Sequence, residues 1–163
     1  MALPNELKQL KMTKQGFDEL VNELEYLKSE KRAEISDKIK TARGFGDLSE
    51  NSEYDEAKNE QAVVENRILT LESQIHRATI IKQSEISSEI VSIGCKITIR
   101  DVEFDDILEY RMASSVESNS DMGSITDESP VGKALLGHRV GELINVTVPS
   151  GAEIAYEIMK IEI

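Results

Sequence analysis

The chain has 163 residues, 39% of them hydrophobic, and carries 19 Lys and Arg against 31 Asp and Glu for a formal net charge of -12. That length suits one ordinary domain or two small ones, and no apolar run approaches the roughly 20 residues that a membrane span requires. One cysteine, Cys95, rules out an internal disulfide, and two distant histidines, His76 and His138, offer no zinc-binding pattern.

The charge is unevenly placed. Residues 1–82 hold 13 basic and 16 acidic side chains, whereas residues 83–163 hold 6 and 15. The C-terminal half is therefore unsuited to gripping a phosphate backbone and better matched to a basic protein surface. The opening residues MALPNELKQLK lack the apolar core of a signal peptide, so a reducing, cytoplasmic location is expected. Lys28, Lys31, Arg32, Lys38, Lys40 and Arg43 form a local basic strip among only three acids. Intermixed charge on a solvated helix face accounts for this strip as readily as a binding role does.

Thr13 is placed to cap a first helix, whose apolar stripe runs through Phe17, Leu20, Leu24 and Leu27, then stutters before Ile35, Ile39 and Ala42. Two glycines and a phenylalanine interrupt the pattern in ARGFGDLSENSEYDEAKNEQ, residues 42–61. Beyond them Tyr54, Ala57, Gln61, Val64, Ile68, Leu71, Ile75 and Ala78 alternate spacings of three and four, a heptad seam. Two stripes of similar length joined by a short glycine-containing turn cover one another by folding back. An antiparallel coiled-coil hairpin is therefore expected over residues 1–82, an arm of about 45 Å with its acidic tip at 44–51. The competing arrangement is a compact bundle with the second half.

Near KQSEISS the period changes. In IVSIGCKITIRDV, Val91, Ile93, Cys95, Ile97 and Ile99 alternate at period two. A second pair of strands reads from LINVTVPSGAEIAYEIMKIEI, with PSGA as the hairpin turn. Between these segments Ser129 is set to cap a short helix that begins at Pro130 and stops at Gly137, and SSVESNSDMGS is polar enough for a mobile loop. Residues 83–163 are thus expected to form a small antiparallel sheet packed on a short helix, an α+β chain overall.

Few chemistries fit. GFG lacks the lysine and preceding strand of a phosphate loop, no nucleophile elbow is present, and aromatics make up 4% of residues with no Trp, too few for a stacking face or a deep aromatic pocket. What remains is the tip, where Asp47, Glu50, Glu53, Asp55 and Glu56 crowd together. One reading is structural: Asp47 caps the second helix, Glu50 reaches back, and the helix dipole favours acids in the first turn. The other is functional: two carboxylates three residues apart form a weak, partial Mg2+ site that another macromolecule would have to complete.

Three segments, MTKQGFDELVNELEYLK, IKTARGFGDLSENSEYDEAKNEQ and SPVGKALLGHRVGE, are similar to the opening helix, tip signature and C-terminal motif of the Gre family of bacterial transcript cleavage factors. The resemblance runs over nearly the whole chain. It implies an accessory transcription elongation factor, not an enzyme. The C-terminal domain would be FKBP-like and would dock on RNA polymerase at the rim of its secondary channel. The arm would enter that channel and stimulate cleavage of the 3′ end of backtracked nascent RNA. Asp47 and Glu50 match the acidic pair that helps hold the second catalytic Mg2+ of polymerase, with no cofactor bound stably by the factor alone. Arg43, Asn51 and Lys58 match residues flanking the tip, the two basic ones able to reach RNA phosphate or polymerase groups, and Ser129, Pro130 and Gly132 match the docking motif. For that last trio capping and helix geometry is an equally good account.

The resemblance also implies a monomer without membrane attachment, and the modest basic strip points to the less basic branch of the family, with short cleavage products. Two departures are the extra residues 1–11 and His138, which stands where a lysine is common. Two other classes compete. A channel-blocking paralogue would bind polymerase without cleavage, which the intact acidic pair opposes. A prolyl isomerase or chaperone would need an aromatic-lined pocket, for which Phe104, Tyr110 and Tyr156 are a thin supply.

Overall fold

The computed structural model describes residues 9–44, 52–117 and 123–163. By its internal contacts the chain divides into two compact units, one running from Asp18 to His76 and the other combining residues up to Phe17 with those from Arg77 to Ile163.

The first unit is a helical hairpin. Helix α1 spans Lys14–Tyr26, α2 Arg32–Gly44 and α3 Ser52–Arg77. Its root is capped as the sequence predicts: the Gly16 N–H donates to Thr13 Oγ1 at 3.0 Å, and the Phe17 N–H to the Thr13 carbonyl at 3.0 Å. Between α1 and α2 lies a π-helical turn, Leu27–Lys31, closed by the Arg32 N–H donating to the Leu27 carbonyl five residues back. This turn explains the stutter. Eight residues separate Leu27 from Ile35, and at about 100° per α-helical residue they overshoot two turns by about 80°. A π turn winds more loosely and absorbs the excess.

Ile35 therefore returns to the stripe and is buried with Val64 and Ile68, against which Leu24, Leu27 and Ile39 pack. Ala57 and Leu71 of the predicted seam are buried as well. Lys28, Arg32 and Lys38 pair in turn with Glu72, Glu65 and Glu60. Numbers rising on one helix as they fall on the other make the hairpin antiparallel.

The second unit is built on a five-stranded sheet of β3 Lys96–Asp101, β4 Ile107–Ala113, β5 Ser124–Thr126, β6 Leu143–Thr147 and β7 Glu153–Glu162, in the order β5-β4-β3-β7-β6. The sheet is mixed rather than wholly antiparallel, because β5 runs parallel to β4. Val91, Ile93, Cys95, Ile97 and Ile99 are all buried in one core, so the predicted alternation holds. The strand itself starts only at Lys96, after a turn in which Gly94 takes φ +96°. On β7 the period breaks once. Tyr156 and Ile158 are buried two apart, then Ile161 three further on, because a register shift opposite Thr98 and Ile99 leaves Met159 on the outside. The β6–β7 turn is the predicted one, with Gly151 at φ +84° and its N–H donating to the Val148 carbonyl.

Two elements of this unit carry no signal in the sequence pattern. Leu10–Met12, β1, pairs in parallel with Ala78–Ile80, β2. Ala78 therefore ends the heptad seam in a strand, and the opening segment, to which the motifs assign no role, supplies a strand ending in fully buried Met12. Parallel neighbours need a long crossover, and here the whole helical hairpin serves as one. Of the predicted loop at 114–124, residues 118–122 lie outside the described residues. Among the described residues no helix is long and apolar enough to cross a membrane.

Candidate functional site

Asp47, Glu50 and Asn51 lie outside the described residues, so the hairpin end is defined by its flanks. Ala42 and Ala57 are buried there, small side chains that let two helices approach closely. Arg43, exposed in the last turn of α2, places its guanidinium carbon 5.9 Å from the ring centroid of Tyr54 on α3, within cation–π range. Tyr54 is half-buried at the start of the seam, as packing requires, and also faces a charge. Lys58, one turn further along, is exposed and donates from Nζ to Gln61 Oε1 at 2.6 Å.

Behind this end the basic strip is largely matched by acids. Lys31 bridges Glu34 at 3.0 Å and Glu60 at 2.8 Å, and Lys38 bridges the same two carboxylates at 3.1 and 2.8 Å. These hydrogen bonds hold the Glu34 and Glu60 carboxyls below the usual carboxylate range and raise both lysines. Arg32 grips Glu65 with two hydrogen bonds of 2.8 and 2.6 Å, and Arg67 grips Glu23 with two of 2.7 Å. Lys28, Lys31, Arg32 and Lys38 of the strip thus each pair with a glutamate of α3. Among the described residues no group of three or more His, Cys, Asp and Glu is arranged to bind a metal ion.

The other predicted cluster, Ser129 with Pro130 and Gly132, opens helix α4, Pro130–Leu135. Ser129 Oγ accepts the Gly132 N–H at 3.0 Å while its own hydroxyl donates to the Thr126 carbonyl at 2.7 Å. Pro130 occupies the first turn, where its missing N–H costs nothing. Gly132 is buried, and a β-carbon there would lie 1.9 Å from the Thr126 oxygen. These three residues therefore fix the shape of one turn. Pro130 and Lys133 present its outer surface, whereas Ser129 and Gly132 act from within.

His138 follows α4, as expected, with Nδ1 against the Glu142 carboxylate, which it holds below its ordinary range. Sequence reasoning missed Glu117, whose carboxylate accepts the Thr13 N–H at 2.8 Å across 104 positions. No local pattern signals a contact of that separation.

Residues 10–80 match the family model described as transcription elongation factor, N-terminal, and residues 86–163 match that described as transcription elongation factor, GreA/GreB, C-term. Among similar curated proteins, the transcription elongation factor GreA of Clostridium beijerinckii is 51% identical over 154 residues, covering 94% of this chain and 96% of that protein. The protein of the same name from Clostridium botulinum strain Alaska E43 is 49% identical over 158 residues, covering 97% and 98%. A crystal structure of GreA factor homolog 1 of Thermus thermophilus is 31% identical and covers 95% of this chain and 99% of that one, with a TM-score of 0.44.

Proposed function

We propose, from the premise that the chain belongs to the GreA/GreB family of transcription elongation factors, that it enters the secondary channel of RNA polymerase and stimulates cleavage of backtracked RNA. The observation that carries this reading is the continuous match of both halves in order, hairpin first and sheet domain second, to proteins called GreA. The active site belongs to polymerase, and this chain acts as an accessory, cytoplasmic monomer.

Asp47 and Glu50 supply two hard oxygen donors of the type Mg2+ takes, fewer than its roughly six positions, so polymerase carboxylates, water and RNA would complete the shell. When bound there, the ion supplies activation of water and charge neutralisation for phosphodiester hydrolysis. The remaining work is positional. Arg43 and Lys58 contact the RNA 3′ segment, where a guanidinium can hold a phosphate through two hydrogen bonds, and Asn51 adds an amide able to donate or accept. The turn at Ser129, Pro130 and Gly132 docks on polymerase, and the acidic sheet domain favours a basic partner surface.

Incubation of stalled, backtracked elongation complexes with the protein and Mg2+ tests this. Short 3′ RNA fragments should appear, and an Asp47→Asn, Glu50→Gln double variant should bind polymerase without releasing them. Inhibition of elongation with no fragment release would instead identify a channel-blocking paralogue.

A further inference from the structure

Three arginines of the hairpin, Arg32, Arg43 and Arg67, are held in two different ways. Arg32 and Arg67 each direct two donors into a glutamate of the opposite helix, Glu65 and Glu23. A bidentate carboxylate occupies the same fork that would otherwise grip a phosphate, so neither guanidinium is presented to an outside anion. Arg43 is held by an aromatic face, its carbon 5.9 Å from the centroid of the Tyr54 ring.

A ring attracts a cation through its quadrupole and uses none of the N–H donors that a guanidinium carries. It restricts the side chain while leaving its hydrogen-bonding fork open. Tyr54 sits half-buried on the apolar seam of α3, three residues before buried Ala57. Arg43 and Tyr54 stand on opposite helices, Arg43 one residue before the end of α2 at Gly44 and Tyr54 two residues after the start of α3 at Ser52.

We infer that Tyr54 is a positioning residue for RNA cleavage, acting through Arg43: its ring seats the guanidinium at the described end of the hairpin, with donors that no hydrogen bond among the described residues occupies, for an RNA phosphate. The inference rests on the cleavage role proposed above. It assigns Tyr54 a task beyond packing, one that leucine at the same seam position cannot perform and phenylalanine can.

The experiment compares Tyr54→Leu, Tyr54→Phe, Arg43→Ala and the Tyr54→Leu, Arg43→Ala double variant in fragment release from backtracked complexes, over a range of factor concentrations. Removal of an exposed cation–π contact should lower the plateau rate of Tyr54→Leu by about two- to five-fold. The half-saturating concentration should stay at the wild-type value, because docking is untouched, and Tyr54→Phe should retain most of the rate. Arg43→Ala should lose about ten-fold or more, with no further loss on adding Tyr54→Leu.

In the free protein, the Arg43 side-chain protons should show a ring-current shift by NMR that Tyr54→Leu abolishes and Tyr54→Phe keeps. An equal loss from Tyr54→Leu with and without Arg43, a Tyr54→Phe variant as impaired as Tyr54→Leu, or a wild-type spectrum without the shift overturns the inference. A wild-type protein that shows the shift but releases no fragments overturns the proposed function, and the positioning role with it, while leaving the seat itself intact.

Discussion

A β-carbon on Gly132 would stand 1.9 Å from the carbonyl oxygen of Thr126, which already accepts the Ser129 hydroxyl. The obstacle is backbone tied into the end of β5, so it cannot swing aside as a flexible side chain would. Gly132→Ala should therefore destabilise the sheet domain by about 1–3 kcal/mol, the usual range for overpacking, and Ser129→Ala by about 1 kcal/mol through the lost cap. Both variants should lower the calorimetric melting temperature of the full chain. A Gly132→Ala protein that melts like wild type would show that the turn is not built as described.

Thr13 and Glu117 lead to a prediction whose sign depends on background. A β-carbon on Gly16 would meet Glu117 Cγ at 2.4 Å and displace the carboxylate that accepts the Thr13 N–H. Alanine in place of a helical glycine otherwise stabilises by about 1 kcal/mol, close to the value of the lost hydrogen bond, about 0.5–1.5 kcal/mol. Gly16→Ala should thus be near neutral in the wild-type chain and clearly stabilising in a Glu117→Ala background. Denaturant titration of the four proteins measures the coupling, and strict additivity would refute the clasp.

The π turn at Leu27–Lys31 holds one residue more than the heptad needs. Deleting Ser29, which is exposed, leaves seven residues between Leu27 and the residue now at the place of Ile35, an in-phase heptad step. Helix content and melting temperature by circular dichroism should be retained or raised. An unfolded or strongly destabilised deletion variant would mean that the turn is required for the hairpin.

The interhelical ion pairs set a pH window. Folded-state values of Glu34, Glu60 and Glu65 are depressed by hydrogen bonds from Lys31, Lys38 and Arg32, so their stabilisation is present above the unfolded carboxylate value of about 4.3 and is lost as pH falls through the lower folded values. The raised values of Lys31 and Lys38 make the opposite flank: their stabilisation is full below about 10.4 and fades as pH rises through the raised values. The melting temperature should be flat between these limits and fall on both sides, most visibly at low salt, where screening is weakest. An arm with the same melting temperature at pH 3 and pH 7 would show that these exposed pairs contribute nothing.

Much of the molecule is written locally. Thr13 caps the helix that begins at the very next residue, the Tyr54 to Ile75 seam repeats every three or four residues, and Ser129 with Pro130 marks the start of α4 without reference to anything distant. Periodicity and capping depend on neighbours within a few positions, and for that reason the hairpin, the alternating face from Val91 to Ile99 and the β6–β7 turn were legible in the chain. The motif carrying Asp47 and Glu50 stands in the chain as a pattern of residue types and lies outside the described residues.

Tertiary structure decided what depends on partners far along the chain. The parallel pairing of β1 with β2 joins residues separated by the whole hairpin, and the parallel β4–β5 contact turned an expected antiparallel sheet into a mixed one. Glu117 reaches Thr13 across 104 positions. The same limit applies to charge. The chain shows a run of lysines and arginines, but only the fold shows that Lys31, Arg32 and Lys38 are matched by glutamates of α3 while Arg43 rests on a ring. Electrostatic partners are chosen by proximity in space, and a sequence orders residues only along the backbone.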